Sequence, residues 1–337
     1  MHYFITNREI QQRGTKEVIR PDGREHAGDD LRFGSYDIEN DEFELFPDPT
    51  KTNQITYSGL KATNTSSLKG SARFFKELYD DFRNKENQTS GKNDVLFFIH
   101  GFNTDLNSVR SNFKELHKRY VLNEESPIGR IVIFTWPGRS SDLPLHYHDD
   151  KKDAERSGET LARCMAKLLD FFQVFLARER NPLCKGKVHL LVHSMGNRVL
   201  KQMMIEMSIK QIPYPEIFDQ IILMAADIEY SIFEKGEAFN RLIELGKRIH
   251  IYFHEKDIVL DISKYTKNFN NRLGRYGRKR NDIVSPDIID VNATGVKDDL
   301  KPGLRTNQLN HWYYYSSSLV IAHVIKVLNG EPAKGVV

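Results

Sequence analysis

The fold of this chain is decided by the stretch Val188-His189-Leu190-Leu191-Val192-His193-Ser194-Met195-Gly196-Asn197-Arg198. Its first half is apolar, as a buried parallel strand would be, and residues 199–207 favour a helix that follows without a loop. This order is typical of a nucleophile elbow, where a serine at a sharp strand-to-helix turn exposes its hydroxyl. Ser194 is therefore the candidate nucleophile. The alternative is a serine that only caps the helix.

Two neighbours of Ser194 bear on this interpretation. Gly196 suits the turn, because strand and helix approach so closely there that a side chain would collide. The usual elbow pattern is Gly-x-Ser-x-Gly, and this chain has Val192 at the first glycine position. A β-branched residue crowds the turn more than glycine or alanine would. Val192 is thus the one feature that favours a protein without catalytic activity.

Short apolar runs alternate along the chain with segments of helical periodicity. Phe74, Leu78 and Phe82 repeat at helical spacing, as do the apolar residues of 161–175. This alternation predicts an α/β fold with a mostly parallel central sheet and helices on both faces. Functional groups gather at the carboxyl ends of the strands in such sheets. The predicted strands are residues 95–99, 131–135, 188–192, 221–224, 249–253 and, more weakly, 288–292.

Two regions depart from this alternation. Residues 1–90 predict edge strands at 3–6, 31–38 and 43–45, with antiparallel pairing as one option, and a helix. Residues 261–286 are rich in Asn, Gly and Arg and predict a basic, lid-like excursion above the sheet. Its basic run is interpreted as a solvated, mobile cap, with contact to nucleic acid or an anionic substrate as the alternative. No convincing linker divides the chain, so residues 1–337 are predicted to form a single domain. The basic run consists of Arg272, Arg275, Arg278, Lys279 and Arg280.

Composition limits the class of protein. The 337 residues are 39% hydrophobic and 11% aromatic, enough for a sizeable core. A net charge of +3 with both signs mixed gives no strong bias towards nucleic acid or membrane, so neither is an expected partner. Cys164 and Cys184 are too few for a disulfide framework. The N-terminus does not resemble a signal peptide and no apolar run is long enough to span a bilayer, so we expect a cytoplasmic protein.

An activated serine needs a base and an acid, which follow the serine in the order acid, then histidine, in proteins with this elbow. His311 lies in a polar loop between the last predicted strand and the final helix, the expected place of the base. His250 and His323 fall within a strand and a helix, where a structural role is more natural. Asp257 follows the strand second from the elbow and is the preferred acid. Asp227, one strand closer, is the alternative, and either aspartate could instead cap a helix.

The oxyanion formed by attack on a carbonyl needs two amide donors already in place. The backbone N–H of Met195 lies at the helix N-terminus, where the helix dipole also favours negative charge. The second donor is predicted to be the N–H of Phe102, in the loop His100-Gly101-Phe102-Asn103-Thr104 after the first central strand. Residues 146–150 (HYHDD) contain metal-ligand types, but the two acids also suit a helix N-terminus. We expect no metal site and no cofactor.

Seven motifs follow one another along the chain: YFITNR at 3–8, LRFG at 31–34, HGFNT at 100–104, FTWP at 134–137, VHSMGNRVL at 192–200, AADI at 225–228 and HWY at 311–313. Their order and spacing resemble those of the α/β-hydrolase superfamily. More narrowly, they resemble the bacterial group catalogued as alpha/beta hydrolases of unknown function, domain of unknown function 900. The resemblance implies an α/β-hydrolase fold and a triad of Ser194, Asp257 and His311. The chain departs from the group at Val192, usually a smaller residue, and in the basic residues 272–280.

The sequence thus predicts a serine hydrolase of the carboxylesterase type, acting through an acyl-enzyme on a small ester, or on a thioester or amide. An acyltransferase would use the same triad while excluding water from the second step. A catalytically silent protein that binds a partner through residues 272–280 is the third hypothesis. Acyl-chain length, oligomeric state and pathway do not follow from the sequence.

Overall fold

The computed structural model describes residues 1–20, 28, 30–48, 68–86, 92–138, 147–173, 184–263, 270–279, 285–296, 309–331 and 335–337. The strands in these ranges are β1 (His2–Thr6), β2 (Ile10–Arg13), β3 (Lys16–Ile19), β4 (Arg32–Asp37), β5 (Glu42–Leu45), β6 (Asp94–Ile99), β7 (Ile128–Thr135), β8 (Val188–His193), β9 (Phe218–Met224), β10 (Gly246–Phe253) and β11 (Ile288–Asn292). Nine of them form one sheet in the order β11-β10-β9-β8-β6-β7-β1-β4-β5, and β2 pairs with β3 in a separate hairpin.

The central part of the sheet is parallel, as the alternation of apolar runs and helices predicts. All six predicted central strands are present, and β8, which leads into the elbow, lies between β6 and β9. Their carboxyl ends meet at one edge, so the loops after β6, β8 and β10 converge there. The fold class is therefore confirmed: a mixed α/β protein with a mostly parallel sheet, consistent with the α/β-hydrolase fold.

The N-terminal strands extend the sheet beyond β7. β1 pairs in parallel with β7 through Tyr3–Val132 and in antiparallel fashion with β4 through Phe4–Gly34. β4 then pairs in antiparallel fashion with β5 at the outer edge. The predicted edge strands are thus present. Because β1 runs parallel to β7, its last residues reach the same edge as the elbow.

Helices cover both faces of the sheet. The alternation of side chains along each strand divides the core, so that Ile221 faces one layer and Ile222 the other. On the Ile221 side lie the helices Gly70–Glu86, Tyr147–Phe171 and Gly196–Ile209, and on the Ile222 side lie Leu106–Leu116 and Ser318–Leu328. None of the helices in the described ranges has the length and apolar composition to cross a membrane. The helices are α1 (Gly70–Glu86), α2 (Leu106–Leu116), α3 (Tyr147–Phe171), α4 (Gly196–Ile209), α5 (Ile258–Ser263), α6 (Leu273–Tyr276), α7 (Tyr313–Ser316) and α8 (Ser318–Leu328).

Candidate active site

The turn between β8 and α4 holds Ser194 in a left-handed backbone conformation, with φ of 51°. Such a conformation is unusual for a non-glycine residue and is kept only where the surroundings impose it. The Ser194 N–H donates to Met224 O at 3.0 Å, and Ser194 O accepts from the N–H groups of Asn197 and Asp227 at 3.1 and 3.2 Å. A Cβ on Gly196 would lie 2.6 Å from His100 O, which explains the glycine. The local geometry is that of a strained strand-to-helix elbow.

Val192 does not disturb this turn. It is fully buried within β8, in register between Ile99 of β6 and Leu223 of β9. Its carbonyl oxygen accepts from Asn197 Nδ2 at 3.3 Å, which links the end of the strand to the first turn of α4. The β-branched side chain therefore lies in the apolar core, where a glycine would leave a space.

Loops from three parts of the sequence place Ser194, His311 and Asp257 in one hydrogen-bonded chain. Ser194 Oγ lies 2.9 Å from His311 Nε2, and His311 Nδ1 lies 2.7 Å from Asp257 Oδ2. All three side chains are buried, with exposed fractions of 4%, 2% and 0% respectively. Asp257 Oδ1 also accepts from the N–H of Leu260 at 2.9 Å. Burial raises the pKa of Asp257, and the neighbouring His311 opposes that shift.

The loops that carry His311 and Asp257 are bonded to each other and to the elbow. Asn310, with φ of 51°, donates from Nδ2 to Lys256 O at 3.1 Å, and Ile258 N–H donates to Leu309 O at 3.2 Å. His193 Nε2 lies 3.1 Å from His311 O; since a carbonyl only accepts, the imidazole donates. Burial and the nearby His311 hold the pKa of His193 well below its usual value, so it is neutral. The backbone on both sides of His311 is thus fixed.

Asp227 lies beside the elbow, but its carboxylate has other partners. Oδ2 accepts from the Tyr147 hydroxyl at 2.6 Å, and Oδ1 accepts from Ser263 Oγ at 2.8 Å. The guanidinium of Arg272 lies 3.3 Å from Oδ1. Within the described residues it is Asp257, and not Asp227, whose carboxylate reaches His311.

The buried polar cluster around Asp227 was not foreseen from the sequence. Arg198 Nη2 donates to the Tyr147 hydroxyl at 3.3 Å, and the Glu229 carboxylate lies 3.7 Å from Arg272 and 3.2 Å from Lys201. Burial opposes ionisation of Glu229, but Lys201, a backbone hydrogen bond and Arg198 outweigh it and lower its pKa to about 2. The sequence does place charged residues within a few positions of the elbow and of the end of β9, and this spacing could have indicated such a cluster. Their partners, however, lie far away in the chain.

The Met195 and Phe102 amides lie on the two segments that meet at Ser194. A Cβ on Gly101 would be 2.9 Å from Ser194 Cβ, so the loop after β6 is in contact with the elbow. Among the residues that the structure describes, no acceptor pairs with either amide. Met195 is the N-cap residue of α4, where the helix dipole favours negative charge.

Within the described residues of the basic run, Arg272 is not solvated as composition predicts. Arg272 is fully buried, Arg278 lies 2.9 Å from Asp290, and Lys279 lies 2.7 Å from Glu234. Arg275 forms an ion pair with Asp261. Burial of Arg272 between two acids neutralises charge that would otherwise attract a polyanion. The interpretation as solvated is wrong for Arg272, whereas Arg275, Arg278 and Lys279 are partly exposed and paired with acids. Arg280 lies outside the described residues, as do parts of the predicted excursion at 264–269 and 281–284.

Two other features bear on the predicted site: the HYHDD stretch at 146–150 and an apolar cavity. His146 is outside the described residues, and His148 belongs to α3, whose first turn contains Asp149 and Asp150 as expected. No metal-binding group of three His, Cys, Asp or Glu side chains is found within the described ranges. A mostly apolar cavity of about 400 Å³ lies near the amino ends of β6, β8 and β9. Because the elbow is at the carboxyl ends, this cavity is remote from Ser194.

One protein-family model matches most of the chain. Residues 77–328 match a family model described as alpha/beta hydrolase of unknown function (DUF900). The matched range includes Ser194, Asp257, His311 and the loop with Phe102, but not β1, β4 or β5. No curated protein is similar enough to be matched.

Proposed function

Because the chain belongs to the family of alpha/beta hydrolases of unknown function, DUF900, we propose that it is a serine hydrolase with Ser194 as nucleophile, His311 as general base and Asp257 as the orienting acid. The observation that carries the proposal is the continuous hydrogen-bonded chain through both ring nitrogens of His311, at 2.9 and 2.7 Å. A serine hydroxyl is a weak nucleophile until such a base removes its proton during attack.

In the proposed reaction, Ser194 Oγ attacks the carbonyl carbon of a bound ester while its proton moves to His311 Nε2. The N–H groups of Met195 and Phe102 then stabilise the tetrahedral oxyanion. When this intermediate collapses, the alkoxide leaves with the proton from His311, and an acyl-enzyme remains. Water attacks the acyl carbonyl with His311 again as base, which releases the carboxylic acid and restores Ser194.

Asp257 acts through the tautomer of His311. A carboxylate that accepts from Nδ1–H keeps the lone pair of Nε2 directed at Ser194 Oγ and stabilises the imidazolium formed during attack. The N–H of Leu260 holds the other carboxylate oxygen, so the group cannot rotate freely. Asp227 is proposed to have no direct part in proton transfer, since its carboxylate is engaged by Tyr147 and Ser263.

We propose a carboxylic ester as the substrate class, with thioesters as the next class to assay. An amide is the weakest candidate, because its nitrogen is a poorer leaving group and must be protonated. A nucleophilic serine also sets this site apart from hydrolases that attack with a carboxylate.

The proposal is tested by labelling the folded protein with a fluorophosphonate probe, which reacts with activated serines. Wild type and Ser208→Ala, a control at an exposed serine of α4, should label equally. Ser194→Ala should not label, and Asp257→Asn should label far more slowly. Turnover of p-nitrophenyl acetate should follow the same order. A folded wild-type protein that neither labels nor hydrolyses short esters would contradict the proposal and favour a binding function for the fold.

A further inference from the structure

The direction in which the Phe102 N–H points is set by the peptide unit between Gly101 and Phe102. In a trans peptide the C=O of Gly101 and the N–H of Phe102 point in opposite directions, so whatever holds the carbonyl also aims the amide. Gly101 O lies 2.9 Å from His100 Nδ1 and accepts from Thr104 Oγ1 at 3.2 Å. These two contacts hold the Gly101 carbonyl and therefore also set the direction of the Phe102 N–H.

The ring of His100 can make this contact in only one tautomer. Its Nε2 accepts from the backbone N–H of Trp136 at 3.1 Å, so the proton must be on Nδ1, which donates to Gly101 O. The ring stacks on Trp136, with centroids 5.2 Å apart and planes 9° apart, and Trp136 Nε1 donates to His100 O at 3.0 Å. Burial, with a smaller effect of the Arg8 charge, lowers the pKa of His100 to about 3. The neutral form persists at ordinary pH.

Arg8 completes this support from the N-terminal part of the chain. It follows β1, which brings it to the same edge as the elbow, and only 1% of it is exposed. Its Nε donates to Thr135 Oγ1 at 2.8 Å, and its Nη2 donates to Thr104 O. One guanidinium thus ties the end of β7 to the last residue of the loop after β6. The loop residue it holds, Thr104, is the same residue whose hydroxyl binds Gly101 O.

We infer that Arg8 is a positioning residue for the loop of residues 100–104, which carries the proposed Phe102 donor. The N-terminal strand β1 is then part of the catalytic apparatus, although it lies outside residues 77–328, the range that the family model matches. This inference rests on the proposed hydrolase function for its effect on rate. Its structural content, that Arg8 holds residues 100–104, can be measured without any activity. A lysine cannot replace Arg8, because a single ammonium lacks the planar fork that reaches Thr135 and Thr104 together.

The experiment compares wild type with Arg8→Lys and Arg8→Met, and with two controls. Arg20→Lys repeats the chemical change at a partly exposed arginine paired with Glu9, and Phe33→Leu weakens the packing of neighbouring β4 without touching the loop. Amide hydrogen exchange is followed by mass spectrometry in a peptide that covers residues 100–104. The rate constant of fluorophosphonate labelling is measured per folded molecule, and KM and kcat are measured for p-nitrophenyl acetate.

We expect faster exchange at residues 100–104 in both Arg8 variants and in neither control. Labelling and kcat should fall about tenfold or more with KM nearly unchanged, because misdirected donors weaken only transition-state binding. Unchanged exchange in the Arg8 variants would overturn the inference, as would an equal effect of Phe33→Leu at matched stability. If wild type does not label while its loop exchange still depends on Arg8, the hydrolase proposal fails and the structural role of Arg8 stands.

Discussion

His193 donates from Nε2 to the carbonyl oxygen of His311 across 3.1 Å, so the residue before the nucleophile holds the backbone of the proposed base. The two rings are also in contact, with centroids 4.8 Å apart, and Tyr314 packs against His193 from another side. The distance between Ser194 and His311 is therefore held by His193, which neighbours Ser194, as well as by the hydrogen bond between Ser194 Oγ and His311 Nε2.

The first prediction is that His193→Phe lowers the labelling rate of Ser194. Phenylalanine keeps an aromatic ring but leaves His311 O without this buried donor, which costs about 1–3 kcal/mol. His311 can then shift relative to Ser194, and we expect labelling about tenfold slower. The matched control is His189→Phe, which removes a buried histidine near the other end of β8, where it lies 3.1 Å from Asp94. Equal labelling rates in both folded variants would contradict the prediction.

The second prediction separates the two aspartates. Asp257→Asn should lower kcat by about 10⁴-fold, since an amide no longer holds the required tautomer of His311. Asp227→Asn should leave a measurable activity in the folded fraction and lower the free energy of unfolding by about 1–3 kcal/mol, because Arg272 loses a buried counter-charge. Urea unfolding and ester turnover measure the two effects. The opposite pattern would make Asp227 the acid.

The third prediction concerns the contact between the loop after β6 and the elbow. In Gly101→Ala the new methyl group would lie 2.9 Å from Ser194 Cβ and 3.1 Å from His193 Nδ1. Overpacking of this kind costs about 1–3 kcal/mol and would separate the Phe102 amide from Ser194. We expect reduced thermal stability and slower labelling. Gly295→Ala is the control, because its methyl group would meet nothing within 4 Å.

The fourth prediction is that the folded protein becomes less stable in acid, because it contains buried histidines that stay neutral. Burial lowers the pKa of His250 from 6.5 to about 4, with smaller effects of His323 and Arg248. Below pH 6.5 the unfolded chain binds a proton that the folded protein excludes, so stability falls as pH falls towards 4. In this window each such histidine contributes about 1.4 kcal/mol per pH unit.

Urea unfolding between pH 6 and 5 checks this slope. His250→Gln, which can keep a polar contact with Gln220, should reduce the slope by about 1.4 kcal/mol per pH unit. The exposed-surface control Lys210→Gln should leave it unchanged. An unchanged slope in His250→Gln would mean that the residue is already protonated in the folded state.

Much of the candidate site could be predicted from the sequence, because its backbone signals are local. A few consecutive residues are enough to indicate each of its parts: the apolar strand before Ser194, the glycine after it, and the loops after β6 and β10. Val192 departs from the usual elbow pattern, and it is accommodated because its side chain faces the core between β6 and β9. Composition predicts a solvated Arg272 and is wrong there, because it does not reveal that Asp227 and Glu229 lie next to this residue.

Local sequence patterns establish the succession of helices and strands along the chain, the elbow at Ser194 and the candidate acids and base, because periodicity and turn chemistry act over a few residues. The three-dimensional arrangement alone shows which aspartate reaches His311. It also shows that Arg8 contacts the loop that carries Phe102. Those outcomes depend on hydrogen bonds between residues 54 and 96 positions apart, Asp257 with His311 and Arg8 with Thr104. Such distances are set by how the strands are ordered in the sheet, and no local pattern contains them.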